Sequence, residues 1–148
     1  VWLVPASWTH ASTEWFGVLG AMAAIAGHSF SPFIGFRGGK GVATAAGAIS
    51  MLAPPVALVL LIVFLVTVAI GKMVSLGSLI IAALFPVVCW VVYPDNVALL
   101  LFALLAASLV IWRHRANIMR ISRGVEPKIT FKRRLWDEMK SRSSKGSE

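Results

Sequence analysis

Charged residues are scarce in this 148-residue sequence. They make up only 14% of it, against 58% hydrophobic residues and a mean hydropathy of +0.83. Soluble domains carry about 25% charged residues, so the composition excludes an ordinary soluble domain and favours an integral membrane protein. Cysteine is almost absent too. Because Cys89 stands alone within an apolar run, neither a disulfide nor a multi-cysteine metal site can form within one chain.

The first residues lack the features of a signal peptide. The opening "VWLVPASWTH" has no initiator methionine, no basic segment and no small-residue cleavage site. We therefore expect the sequence to be an internal piece of a longer protein.

Positive charge is concentrated near the C-terminus. Residues 113–148 hold eleven of the fourteen Lys and Arg residues and four of the six acidic ones, an excess of +7 in a net charge of +8. Basic residues beside apolar helices are typical of the cytoplasmic side of a membrane, where they meet anionic lipid. Binding of nucleic acid by this tail is the less favoured alternative, and no nucleic-acid partner is expected.

The apolar stretches predict about five membrane helices. These stretches cover residues 15–26, 42–70, 74–93 and 97–112. As one helix the second would be about 43 Å long, more than the hydrocarbon core of about 30 Å. Pro54 and Pro55 favour a break near Ala53, giving helices over residues 41–53 and 55–70. The expected fold is an all-α, polytopic membrane helix bundle.

The positive-inside rule supports this division. With two helices in the second stretch, the Arg37/Lys40 loop, Lys72 and the tail all lie on the cytoplasmic side, and Pro54-Pro55 and the "YPDN" loop lie outside. The first helix, over about residues 13–26, and the one after Lys40 would each be only about 20 Å long. We therefore expect the loop between them to form the floor of a pocket.

That loop contains a glycine-rich segment around one lysine. Gly38, Gly39 and Gly41 flank Lys40 directly before the predicted second helix. Glycines allow a ligand to approach the backbone closely, and a helix N-terminus and a lysine add positive charge, so the segment suits a phosphate. A Walker A nucleotide loop does not fit, because Ile34 and Gly41 occupy positions that need Gly and Ser or Thr. A plain turn with Lys40 extending to lipid headgroups stays open as the alternative.

Further polar residues are predicted on the same side of the membrane. His28 and Ser31 precede the loop, and Ser75 and Ser78 lie one turn apart at the start of the fourth helix. In "RHRANIMR", His114, Asn117 and Arg120 would share a face on a continuing helix. Taken singly, the serines would bond to their own helix, the arginines would anchor the helix in the membrane, and His28 would be an ordinary interfacial residue.

Three motifs together resemble a known family. "GHSFSPFIGFRGGKGVAT" at residues 27–44, "VSLGS" at 74–78 and "HRANIMRISRGVEPK" at 114–128 resemble the bacterial acyl-phosphate-dependent glycerol-3-phosphate acyltransferases. The resemblance extends over about residues 15–128. It implies a multi-pass enzyme of the bacterial inner membrane with a cytoplasmic active site and C-terminus, and seven membrane helices in the complete protein.

The resemblance also implies a reaction and its residues. An acyl group passes from acyl phosphate to the 1-hydroxyl of glycerol 3-phosphate, giving lysophosphatidic acid and phosphate for phospholipid synthesis, without acyl-CoA, metal or other cofactor. Lys40, His114 and Asn117 are the implied catalytic residues, with His114 orienting or deprotonating the hydroxyl, and Glu126 is expected to hold cations in place. The implied substrate-binding residues are His28, Ser31, Gly38, Gly39, Gly41, Thr44, Ser75, Ser78, Arg120 and Glu126.

The sequence departs from related patterns in two ways. The family carries a Ser/Arg and Gly-Ser-Gly-Asn motif in its first cytoplasmic loop, which is missing here, so residues 1–128 are predicted to be a truncated core followed by a basic tail at 129–148. The His-x4-Asp motif of the soluble-type acyltransferases is also missing, because Phe33 and Met119 stand five residues after His28 and His114. A short surface helix is expected over residues 129–139.

A membrane transporter or channel subunit with an anion site at the glycine loop is the main alternative to an enzyme. Transport requires polar groups near the middle of the membrane, and the helix interiors at 56–70 and 97–111 contain only Thr67 and Ser108. An electrostatic lipid- or nucleic-acid-binding module built on the tail explains none of the motifs. Acyl-chain preference and oligomeric state stay open.

Overall fold

Helices make up nearly all of the computed structural model, which describes residues 10–30 and 38–129, with side chains from Glu14 onward. The helices are α1 (His10–Ser29), α2 (Val42–Leu52), α3 (Pro54–Gly71), α4 (Val74–Val92), α5 (Val97–Arg113) and α6 (Arg115–Ser122). The prediction of an all-α membrane bundle is confirmed. Ser31 and the tail beyond Ile129 lie outside the described residues, as does most of the predicted surface helix.

The break in the second apolar stretch lies where the prolines predict it. Ala53 separates α2 from α3 and adopts a non-helical conformation, with φ −149° and ψ 76°. Proline is tolerated in the first turn of a helix, where no amide donor is needed, so Pro54 and Pro55 can begin α3. The helix therefore breaks at Ala53, with α2 ending before it and α3 beginning after it.

The helices differ in whether they can cross a membrane. Among the described residues, α3 and α4 are long and apolar enough by themselves, and α5 with α6 makes a third span if the bent pair is counted as one. The 11 residues of α2 extend about 16 Å, well short of a bilayer core. The 20 residues of α1 extend about 30 Å, so the prediction of a short first helix was wrong.

Five helices pack in a ring. In chain order each of α1 to α5 packs against the next, and α5 packs against α1. Ile25, Val56, Phe102 and Ala103 are fully buried within the ring, and Phe85 meets Phe102 edge to face with 5.7 Å between ring centroids. The small residues on α5 allow its neighbours to approach closely.

The last helix bends away from α5. The shared face of His114, Asn117 and Arg120 was inferred on the condition that the helix continues, and it does not: α5 ends at Arg113, and α6 leaves it at an angle of 59°. The chain after α6 then returns to the bundle, where the Ile129 amide donates to the Lys72 carbonyl at 2.6 Å. The segment after α6 is thereby held against the loop between α3 and α4.

Candidate active site

A cleft of about 940 Å³ lies between α2, α3, α4 and α5. Most of its wall is apolar, including Ile49, Leu60, Phe64, Ile81 and Phe85. Polar groups gather at the end of the cleft that faces the glycine loop and α6. These polar residues are His28, Lys40, Ser75, His114, Asn117 and Glu126.

The glycine loop packs tightly against the end of α1. A Cβ on Gly38 would overlap the His28 carbonyl, and a Cβ on Gly39 would overlap the His28 ring. Gly41 precedes α2 in the left-handed region, with φ 80°. A side chain at any of these three positions would therefore clash or strain the backbone.

Lys40 is the cation of this loop and is linked to α6. Its Nζ donates to Asn117 Oδ1 at 2.7 Å, and Asn117 Nδ2 donates to Glu126 Oε1 at 2.7 Å. The two partners fix the orientation of the Asn117 amide, because only its oxygen can accept from an ammonium group. An ammonium has three donors, and within residues 10–30 and 38–129 Lys40 uses one of them, which leaves two for a ligand.

Glu126 is the centre of this polar network. Ser75 Oγ donates to Glu126 Oε1 at 2.5 Å, and Arg120 Nε donates to Oε2 at 2.7 Å. The hydrogen bonds from Ser75 and Asn117, and then Arg120, lower the pKa of Glu126 to about 2. The carboxylate is thus ionised at neutral pH and acts as an acceptor that orders its neighbours.

His114 occupies the bend between α5 and α6. Its side chain is buried, and Nδ1 lies 2.8 Å from the Val110 carbonyl. Because a carbonyl can only accept, Nδ1 carries the proton, and Nε2 of the neutral ring is left as an acceptor. This histidine, which lines the cleft, is therefore suited to accept a proton.

The predicted site residues divide into four groups. His28, Lys40, Gly41, Ser75, Ser78, His114, Asn117 and Glu126 line the cleft. Arg120 contributes through Glu126, whereas Gly38, Gly39 and Thr44 lie outside the cleft wall. Ser31 is outside the described residues. Of the two serines on α4, Ser78 bonds to its own helix through the Val74 carbonyl, and only Ser75 joins the network.

Two residues near the site were not among the predicted site residues. Arg113, interpreted as a membrane anchor, donates through Nη2 to the carbonyls of Gly38 and Gly39. Ser29 is fully buried, its hydroxyl has no hydrogen-bond partner among the described residues, and it lies beside Gly41. No local signal identifies either, because their surroundings depend on distant parts of the chain.

No cluster of three or more His, Cys, Asp or Glu side chains that could hold a metal ion occurs within residues 10–30 and 38–129. The polar end of the cleft instead combines ammonium, amide and imidazole groups. Such donors can bind an anion and hold a hydroxyl close to a proton acceptor.

Comparison with known proteins identifies relatives over most of the chain. The model of the glycerol-3-phosphate acyltransferase family matches residues 1–124. A glycerol-3-phosphate acyltransferase of Listeria monocytogenes is 50% identical over 116 residues, which cover 78% of this chain and 58% of the relative. The corresponding protein of Geobacillus kaustophilus is 44% identical over 114 residues, which cover 77% of this chain and 57% of that relative.

Solved structures agree with this result. The crystal structure of PlsY (YgiH), an integral membrane glycerol 3-phosphate acyltransferase, in its glycerol 3-phosphate form matches with a TM-score of 0.77 and 34% identity. The match covers 82% of this chain and 60% of that one. A lysophosphatidic acid form of the same protein matches with a TM-score of 0.75. The chain spans less than two thirds of the length of each of these relatives.

Proposed function

Because the chain belongs to the glycerol-3-phosphate acyltransferase family, we propose that it carries the core of an enzyme that acylates glycerol 3-phosphate in phospholipid synthesis. The donor in this proposal is acyl phosphate, and the products are lysophosphatidic acid and phosphate. One observation carries the proposal: a polar end that contains the Lys40 ammonium group opens directly into an apolar cleft of about 940 Å³. A small charged acceptor and a long-chain donor need such a junction.

The glycine loop is the proposed site for the phosphate of glycerol 3-phosphate. Lys40 uses one of its three donors among the described residues, and the loop leads into the N-terminus of α2, where backbone amides and the helix dipole favour an anion. Among the described residues, the amides of Gly39, Lys40 and Gly41 make no hydrogen bond. They are therefore available to a bound phosphate.

The apolar part of the cleft is the proposed site for the acyl chain. Its walls come from α2, α3, α4 and α5, and residues such as Leu60, Phe64 and Phe85 offer no polar group to the chain. The two serines on this wall, Ser50 and Ser78, both donate to carbonyls of their own helices. Burial of a methylene group contributes about 0.8 kcal/mol, so a long chain gains much of its binding energy here.

The reaction is proposed to proceed at the polar end. The hydroxyl oxygen of glycerol 3-phosphate attacks the acyl carbon, a new C–O ester bond forms, and the bond from that carbon to the phosphate oxygen breaks. His114 Nε2 accepts or shares the hydroxyl proton, and phosphate leaves with the bonding electron pair. Because phosphate is a good leaving group, positioning and charge neutralisation by Lys40 supply most of the catalysis.

The alternative function, that of a membrane transporter or channel subunit, receives no support from the cleft. Ser108, one of the two polar residues expected near the middle of the helices, is exposed and bonds to the Leu104 carbonyl of its own helix. It offers no site along a transport path.

Membrane placement forms part of the proposal. The chain is a multi-pass membrane protein, and we place it in the bacterial inner membrane with the Lys40 end of the cleft at the cytoplasm. The positive-inside rule supports this orientation, because Lys72 and the basic residues of α6 lie at that end. Residues 1–128 then form the enzyme core, and the tail meets anionic lipid.

The test is acyl transfer to labelled glycerol 3-phosphate in lipid vesicles. Palmitoyl phosphate and palmitoyl-CoA are compared as donors, for this chain and for the chain extended upstream by its native sequence. Labelled lysophosphatidic acid formed with palmitoyl phosphate and not with palmitoyl-CoA is the expected result. If neither protein forms it from palmitoyl phosphate, the proposed function is wrong.

A further inference from the structure

Arg113 ends α5 and contacts the glycine loop from behind. Its Nη2 donates to the Gly38 carbonyl at 2.6 Å and to the Gly39 carbonyl at 3.1 Å. The side chain is half-buried and does not line the cleft, so it meets the loop on the side away from the ligand space. Arg113 therefore has no direct contact with the ligand space and reaches the loop from outside it.

Two aromatic rings hold the guanidinium group. Arg113 Cζ lies 5.6 Å from the centre of the Phe30 ring and 6.0 Å from that of Trp112, and these rings are 6.2 Å apart. Phe30 directly follows α1, and Trp112 belongs to α5. Contacts of a cation with two ring systems restrict the side chain. The guanidinium group is therefore held in one position when it donates its hydrogen bonds to the loop.

The loop needs such support, because its glycines give it more conformational freedom than other residues would have. Gly38 and Gly39 make no main-chain hydrogen bond among the described residues, and their contacts with His28 and Ser29 are steric. Arg113 provides the directional contacts to these two residues, and it does so at consecutive carbonyls.

We propose that Arg113 is a positioning residue for the acceptor substrate: it fixes the glycine loop so that Lys40 and the loop amides are preformed for the phosphate group. Two consecutive carbonyls that accept from the guanidinium are held towards Arg113, which lies outside the cleft, so they are kept away from the phosphate. This inference rests on the proposed acyl transfer to glycerol 3-phosphate.

The position of Arg113 next to His114 also links the glycine loop to the proposed proton acceptor. Arg113 and His114 are adjacent at the bend between α5 and α6, so one short piece of backbone carries both the loop contact and the proposed proton acceptor. The distance from the phosphate site to His114 is therefore set across this bend. A loop that drifts from Arg113 would leave the hydroxyl of a bound acceptor misplaced relative to His114 Nε2.

The experiment compares Arg113→Gln and Arg113→Lys with Arg115→Gln in vesicles, using whichever form of the protein is active. Arg115 is a matched control, because it is two positions away and also lies over Trp112, at 4.8 Å, but it is exposed, and its side-chain hydrogen bond among the described residues goes to the Trp112 carbonyl instead of the glycine loop. The KM for glycerol 3-phosphate, the KM for palmitoyl phosphate, kcat and the unfolding temperature are measured for each.

Arg113→Gln is expected to raise the KM for glycerol 3-phosphate about tenfold or more and to leave the KM for palmitoyl phosphate unchanged, because two charge-assisted hydrogen bonds are lost. Arg113→Lys keeps the charge but not the planar fork, so a smaller rise of about threefold is expected. Arg115→Gln should match the unsubstituted protein. The Lys variant decides the matter if the Gln variant does not fold.

Two results would overturn the inference. One is an unchanged KM for glycerol 3-phosphate in both Arg113 variants that fold. The other is a rise in both KM values together with a fall in the unfolding temperature, which would indicate that Arg113 only supports the fold in general. Failure of the proposed function is distinguishable from either, because the unsubstituted protein would then form no lysophosphatidic acid.

Discussion

The two ends of the cleft differ in how their side chains are held. At the polar end, Lys40, Asn117 and Glu126 form a connected chain of hydrogen bonds, and Ser75 and Arg120 complete it. Along the apolar part, the walls are aliphatic and aromatic, and the few hydroxyl groups bond to their own helices. Exact geometry thus matters at one end, whereas volume and hydrophobicity matter along the rest. Substitutions at the polar end should be far more damaging.

Removal of the Lys40 ammonium group should have the largest effect. Lys40→Ala is expected to lower kcat/KM for glycerol 3-phosphate by about 10³-fold, because the charge that binds and stabilises the phosphate is lost. Lys72→Asn is the control, since Lys72 is an exposed cation at the same end, and asparagine tolerates its left-handed backbone (φ 54°). Comparable losses in both variants would mean that bulk positive charge matters rather than the loop.

Substitution of His114 tests the proton acceptor. His114→Asn should lower kcat by about 10²-fold. In the unsubstituted protein, kcat/KM should fall at acidic pH, because the Nε2 atom that accepts the hydroxyl proton is then already protonated. The pH profile of His114→Asn should lack this acidic limb, and an unaltered limb would assign it to another group.

Glu126→Gln tests the hydrogen-bond network around Glu126 while the Lys40 charge is kept. We expect kcat to fall about tenfold, since glutamine has one acceptor oxygen where Glu126 has two, so it cannot accept from Ser75, Asn117 and Arg120 together and the orientation of Asn117 towards Lys40 is weakened. Because the Glu126 pKa is lowered from 4.5 to about 2, its stabilisation is complete above pH 4.5 and disappears as the pH falls towards 2. The difference in unfolding temperature between the unsubstituted protein and Glu126→Gln should therefore shrink as the pH falls from 4.5 towards 2. A constant difference would contradict the role of the ionised carboxylate.

A substitution beside the apolar part should have the smallest effect. A Cβ on Gly77 would lie 2.8 Å from Val68 Cγ2 and 2.9 Å from Phe64 Cδ2, so Gly77→Ala must displace Phe64, which lines the cleft. The KM for palmitoyl phosphate should rise about two- to fivefold, with no change for glycerol 3-phosphate. Ala83→Val on the exposed side of α4 is the control. A change confined to the KM for glycerol 3-phosphate would show that the two ends are not separate.

The parts of the fold that depend on local chemistry were predictable. Pro54 and Pro55 determine the break at Ala53, because proline restricts both its own backbone and that of the residue before it. The glycine loop before α2 was likewise evident, and Gly41 does adopt a left-handed conformation. In both cases neighbouring residues are sufficient to set the backbone.

The bend at His114 was not predictable in this way. Nothing in "RHRANIMR" breaks a helix, since it contains neither proline nor glycine. The bend is stabilised from outside the segment, where Asn117 and Arg120 on α6 both donate to Glu126 and Asn117 accepts from Lys40. Similarly, the partner of Arg113 at Gly38 lies 75 residues earlier in the chain. Such pairs are visible only after the helices have packed.

The 59° turn between α5 and α6 also fixes how deep in the membrane the proposed reaction can occur. A straight extension of α5 would carry Asn117 and Arg120 onward along the axis of that helix and away from the cleft. The turn instead sends this helix sideways across the end of the bundle, so its side chains close the cleft at the level where α2 begins. The bend therefore sets the depth at which the cleft is closed. Under the proposed reaction, the fatty chain can remain among lipid tails while glycerol 3-phosphate remains in water.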